Sequence, residues 1–262
     1  MNQTRERLYD IEKNGYQLDF ANVFNHAFEN YKKIALYAGL ILIVFTILLS
    51  IFAMGTAITI FGLQAITDNL KPENLKPENF SSSFLIIYSV SIILLSCLLS
   101  PFQAGFLKMA DCGEKDEEFH VSTLFTYYHC PYLKEIVLLT FIIASVGLLQ
   151  TTLFSLIHLE LLGMLITYIL SFLTFLSIPL VIFGNLKAIE AIKYSILIVW
   201  KQPFVLLGLL IVAIIASMVG LIGCCIGVFF TLPFLYSMNY SIYSAIVGID
   251  MLSEEDVKGS IL

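Results

Sequence analysis

Six long apolar runs alternate with short polar joints along the chain, at 34–63, 84–110, 136–157, 161–184, 204–222 and 226–249. A helix needs about 20 mainly apolar residues to cross a hydrocarbon core of about 30 Å, and each run reaches roughly that length. Short segments of strict polar–apolar alternation, the mark of a membrane β-barrel, are absent, so backbone amides facing lipid must pair inside helices. The pattern predicts an all-α polytopic membrane protein with six transmembrane helices.

The runs also fall into pairs, each preceded by an amphipathic, aromatic-rich stretch. In the first stretch Phe20, Val23, Phe24, Ala27, Phe28 and Tyr31 share one helical face behind Asp19, a suitable N-cap. Val121, Leu124, Phe125 and Tyr128 repeat the face more weakly, and Ile189, Ile192, Ile196, Val199 and Trp200 supply the third copy. The second run of each pair carries a proline, Pro101, Pro179 or Pro233, placed to kink its helix. Together these predict three helical hairpins, 19–110, 119–184 and 187–250, in a pseudo-threefold repeat, each opened by an interfacial helix. They form one membrane domain, 19–250, between an N-terminal tail, 1–18, and a C-terminal tail, 251–262. Phe24, Phe28, Tyr31, Lys32, Lys33, Trp200 and Lys201 suit anchors in the headgroup layer. A second reading makes the three interfacial helices a collar that docks a partner or acidic headgroups.

Composition agrees with lipid as the solvent: 58% of residues are hydrophobic, 13% are charged, and mean hydropathy is +0.89. Of the 14 lysines and arginines, 12 fall on the side of the chain termini, and only Lys71 and Lys76 lie opposite. Both termini are therefore expected in the cytoplasm, with the protein integral to the cytoplasmic (inner) membrane. The first apolar run follows 33 polar or mixed residues, unlike a cleavable signal peptide. A net charge of −6 without a basic stripe argues against nucleic acid as a partner.

Candidate chemistry is sparse. Intramembrane carboxylates, the usual pointer to ion-coupled transport or catalysis, are missing from the apolar runs, where only Lys108 is charged, near a run's end. Gln103 follows Pro101, and Asn185 and Asn239 each stand six residues after a proline, which predicts a polar layer at the inner mouth of the bundle. Gln150 is the one strongly polar residue deep in a run. Asp111, Cys112, His120, His129 and Cys130 are zinc-ligand types without zinc-site spacing, so no metal or cofactor is expected. Cys224 and Cys225 read as small hydrophobes in a tight turn. The tandem LKPEN pentapeptides at 70–74 and 75–79 read as a replicated spacer in the only sizeable loop outside the membrane. No GxSxG, P-loop or HExxH motif occurs, so the chain is not expected to be an enzyme.

The segments YKK at 31–33, SPFQAG at 100–105, SIPL at 177–180, AIKYS at 191–195 and TLPF at 231–234 resemble a broad group of bacterial six-helix membrane proteins. That group is similar to the membrane domain of some glycerophosphodiester phosphodiesterases. The resemblance implies a membrane module and no catalytic residue, because the soluble catalytic barrel of those enzymes has no counterpart here. Two functions stay open: a non-catalytic scaffold or accessory subunit binding lipid or a partner membrane protein, and a transporter or lipid-handling protein with a polar cavity behind the proline-bearing helices. In intact cells, a single cysteine at Lys71 of a cysteine-free chain is expected to react with a membrane-impermeant maleimide, and one at Asn2 only after lysis. The reverse pattern would invert the assigned orientation.

Overall fold

The computed structural model describes residues 3–63, 82–222 and 226–249. The LKPEN pentapeptides, Cys224, Cys225 and the C-terminal tail lie outside these residues. All regular elements among the described residues are helical: α1 (Gln3–Asn14), α2 (Phe20–Phe61), α3 (Ser82–Glu114), α4 (Val121–Phe125), α5 (Leu133–Leu156), α6 (Glu160–Thr174), α7 (Ser177–Ile182), α8 (Ala188–Lys201), α9 (Pro203–Met218), α10 (Gly227–Thr231) and α11 (Pro233–Ile246). Five stretches are long and apolar enough to cross a membrane: Phe20–Thr59, Ile86–Glu114, Leu133–Leu156, Glu160–Ile182 and Pro203–Ile222. Their outer surfaces are crowded with exposed apolar side chains such as Leu36, Ile51, Leu94, Leu156, Phe204 and Ile215, a surface that suits lipid and not water.

The sixth apolar run does not form one such helix. It divides at Leu232 into α10 and α11, because Pro233 cannot continue a helix from its own amide and instead starts a new one at its first position. Most of α11 is buried, including Phe234, Ser237, Met238, Tyr240, Ser241 and Tyr243. It packs along α2 and against α3, α7 and α9, so it is the axis of the bundle.

The expected interfacial helix of the first unit is not a separate element. No proline interrupts residues 20 to 61, and one buried stripe (Val23, Ala27, Asn30, Ile34 and Ala38) runs past Lys32 and Lys33 without a break, so α2 is continuous. Asp19 caps it, accepting the amide of Asn22 at 2.9 Å. Phe28 of the predicted face is exposed and Phe24 and Tyr31 are half-buried, all three stacked edge-on around Phe234. In the second unit α4 is short, and Gly105 lets its backbone lie directly on α3, where a Cβ would collide with the Leu124 carbonyl. In the third, α8 buries Ala188, Ala191, Ser195 and Ile198 together with Val199 of the predicted face, while Ile189 and Trp200 of that face are exposed, so the buried face is partly rotated from the one the pattern suggested.

Residues expected as an N-terminal tail instead form α1, which buries Thr4, Leu8 and Ile11 at helical spacing. Arg7 Nε donates to the Ile246 carbonyl at the end of α11 (3.1 Å), where a cation also complements the helix dipole. Lys201 Nζ donates to the Glu12 carbonyl (2.8 Å), and the Tyr16 hydroxyl to the Ile198 carbonyl (2.9 Å). Burial pushes the Tyr16 phenol well above its ordinary value, which keeps it a donor.

Where α9 approaches α10, Gly220 lies against Gly227 and Thr231 with no room for a Cβ, and Ser217 and Thr231 exchange hydroxyl-to-carbonyl bonds across the joint. Gly220→Ala is expected to destabilise the bundle by about 1–3 kcal/mol through overpacking, read as a lower midpoint in thermal unfolding in detergent. Gly55→Ala, in open space on α2, should leave the midpoint unchanged or raise it slightly.

Candidate polar cavity

Helices α3, α5, α6, α7 and α11 line a half-open cavity of about 510 Å³. Ser96, Gln103 and Leu107 reach it from α3, Leu139, Thr140 and Ala144 from α5, Ser171 and Thr174 from α6, Ile178 from α7, and Tyr236 and Asn239 from α11. None of these side chains carries a formal charge, and the hydroxyls and carboxamides alternate with apolar walls. At about 1.5 Å per residue, Gln103 lies about 16 Å from the Glu114 end of α3, well inside its apolar span. Gln103 and Ser171 are exposed in their own helices. A carboxamide turned to hydrocarbon at that depth would be costly, and lining a polar cavity removes the cost.

The cavity forms where the fourth apolar run breaks. Pro179 has no amide to give the carbonyl four residues before it, that of Phe175, and the helix opens between Thr174 and Ser177. Two side chains from other helices supply the missing donors: Asn239 Nδ2 to the Phe175 carbonyl at 3.2 Å, and the Ser195 hydroxyl to the Leu173 carbonyl at 2.8 Å. Pro101 leaves the Cys97 carbonyl without a donor in the same way, and the neighbouring Ser100 hydroxyl fills it at 2.9 Å, so α3 continues through its proline. Near Pro233 the Tyr31 hydroxyl donates to the Phe230 carbonyl (3.1 Å). With Nδ2 committed to Phe175, the Asn239 carboxamide oxygen is a buried acceptor with no hydrogen-bond partner among the described residues.

Of the three residues expected to form a polar layer, the structure brings two together at this cavity, Gln103 and Asn239. Asn185 stands apart: α7 ends at Ile182, and Asn185 occupies the left-handed region (φ 52°) in the exposed turn beyond it, a conformation asparagine tolerates better than most residues. Gln150 is spent on the α5–α6 hairpin, where its Nε2 donates to the Gly163 carbonyl (2.8 Å) and its Oε1 accepts the Thr167 hydroxyl (2.9 Å). Ser96, Thr140, Ser171 and Thr174 lie in apolar runs and were not singled out from the pattern. Small hydroxyl residues are common in such helices because they can bond their own backbone, as Thr174 does to Leu170. Asp111, one of the zinc-type residues, instead meets Lys108 and Lys115, and among the described residues no three metal-ligating side chains converge.

Comparison with family models, with curated proteins and with solved structures found no match for this chain. The likeness to phosphodiesterase membrane domains therefore rests on the short motifs alone. Asn239→Leu is expected to leave the Phe175 carbonyl unpaired and to cost about 1 kcal/mol or more, lowering the thermal midpoint in detergent. Asn239→Gln, which keeps the donor on a longer stem, should recover part of the loss.

Proposed function

We propose that this chain is a non-enzymatic protein of a bacterial cytoplasmic membrane that binds and handles a lipid or other amphiphile, with the 510 Å³ cavity holding an uncharged polar portion of the molecule. The observation that carries the reading is the placement of that cavity. It lies within the apolar span beside an interrupted helix, and irregular backbone at membrane depth is tolerated where it is covered by protein or lines a cavity. Its lining of hydroxyls and carboxamides offers hydrogen bonds but no charge, so an alcohol, amide or sugar group fits better than an ion. A pure scaffold has no use for exposed Gln103 and Ser171 around such a space, whereas an amphiphile satisfies them and lays its apolar portion against Ile178 and Leu139.

In this reading α10 and α11 together complete a sixth crossing, the three hairpins keep their pseudo-threefold order, and both termini face the cytoplasm. Kinship with the membrane domains of glycerophosphodiester phosphodiesterases, proposed on the sequence segments, agrees with a lipid-facing role.

The test is extraction of co-purified molecules after mild-detergent purification, followed by native mass spectrometry. Ala144→Phe, which fills the cavity, and Gln103→Leu, which removes its exposed amide, are expected to lower retention of the enriched amphiphile about tenfold. Identical molecules in identical amounts from the wild type and both folded variants would sink the proposal.

A further inference from the structure

At the Glu114 end of α3 lies a second, smaller cavity of about 150 Å³, lined by Lys108, Asp111, Lys115, Thr126, Tyr127 and Tyr132, with Ile182 and Phe183 as an apolar wall. Asp111 is buried. Both lysines converge on one of its oxygens, Lys108 Nζ at 2.8 Å and Lys115 Nζ at 3.1 Å, and the Tyr240 hydroxyl donates to the other at 3.2 Å. One carboxylate cannot neutralise two ammonium groups, and three donors already crowd its two oxygens. Each ammonium has three N–H donors, and Asp111 uses one from each.

The nearby acids do not close the account. Glu114 is held by His26 Nε2 (2.9 Å) and Asp116 by Lys33 (2.7 Å). Glu117, whose charge reaches Lys108, is exposed on the turn after α3. Lys108, part-buried beside the apolar wall, and Lys115, exposed at its rim, keep N–H donors that Asp111 does not use, and these can meet a bound anion. The tyrosines supply neutral donors: burial, and then the Asp111 charge, push the Tyr127 phenol far above its ordinary value, so it stays protonated. Asp111 is only about 5 Å, one helical turn, from the end of α3, the level at which lipid phosphates lie when α3 spans the membrane.

We infer that Lys108, Lys115 and Tyr127 form a binding site for a phosphate group, supplied by an anionic phospholipid whose acyl portion runs along Ile182 and Phe183. The site is separate from the uncharged cavity and does not depend on what fills it. Two ammonium groups and a phenol around one anion give charge-assisted bonds that a zwitterionic lipid matches less well.

Native mass spectrometry of the full chain in detergent with added phosphatidylglycerol, phosphatidylcholine or glycerol 3-phosphate tests the site. Lys115→Gln leaves a balanced Lys108–Asp111 pair, so the variant should fold, and phosphatidylglycerol retention is expected to fall about tenfold. Lys13→Gln, an exposed lysine on α1 away from this site, should not change it. Asp111→Asn removes the internal competitor and should preserve or raise retention. Binding of glycerol 3-phosphate that is lost in Lys115→Gln would support the same site with a soluble source of the phosphate. Equal retention of both lipids, or retention untouched by Lys115→Gln, would overturn the inference, as would loss of lipid in a folded Asp111→Asn.

Discussion

A carbonyl that loses its amide partner inside hydrocarbon has no water to turn to, and the fold is organised around that constraint. Three prolines release carbonyls; side chains from outside the broken turn, Asn239 and Ser195, answer the break at Pro179, and Tyr31 bonds the Phe230 carbonyl beside the one that Pro233 releases. The donors come from helices far away in sequence, so each repair is also a tertiary tie. Asn239 joins the last helix to the fourth apolar run, and Tyr31 joins α2 to α10. The bundle thus gains polar links in places where apolar packing alone specifies little, since lipid tails compete equally for apolar surface.

The same constraint explains the buried polar residues of the centre. Asn30 is almost completely buried, yet its Nδ2 donates to the Ala110 carbonyl at 2.7 Å and its Oδ1 accepts the Ser237 hydroxyl at 2.9 Å. One side chain therefore fastens α2, α3 and α11 together. His26 Nε2 and Glu114 meet at 2.9 Å on the neighbouring turn, and Asp111 with its lysines extends the polar series. Polar contacts are dense at this end of the bundle, while the other ends of α2 and α3 carry mainly apolar surface.

The all-helical class and most helix positions were legible from the apolar runs, because hydrophobic length is a direct demand of the bilayer. The prolines were legible as break points, but not which would break a helix: Pro101 is carried through by its neighbour Ser100, whereas Pro179 and Pro233 sit at discontinuities. That difference depends on which hydroxyl or amide is near in space. Asn185 and Asn239 share a spacing from proline and have different fates, because α7 stops after six residues and α11 continues for 14. The hydroxyl lining at Ser96, Thr140 and Ser171 was invisible for a related reason. A serine or threonine in an apolar run looks the same whether it bonds its own helix or faces a cavity. Helix α1 was missed because its apolar face is only three residues wide and becomes meaningful against α8.

Helix α2 has a mechanical consequence. Its 42 residues make a rod about 63 Å long, twice the hydrocarbon thickness. The portion beside α11 is clamped by Asn30, Tyr31 and Phe234, and the portion beyond Phe45 has mainly lipid-suited surface. A rod held at one end is a lever. The clamp reaches Phe45, stacked on Phe102, so about 24 Å of the rod projects beyond it, and a tilt of about 5° there would displace the Phe61 backbone by about 2 Å.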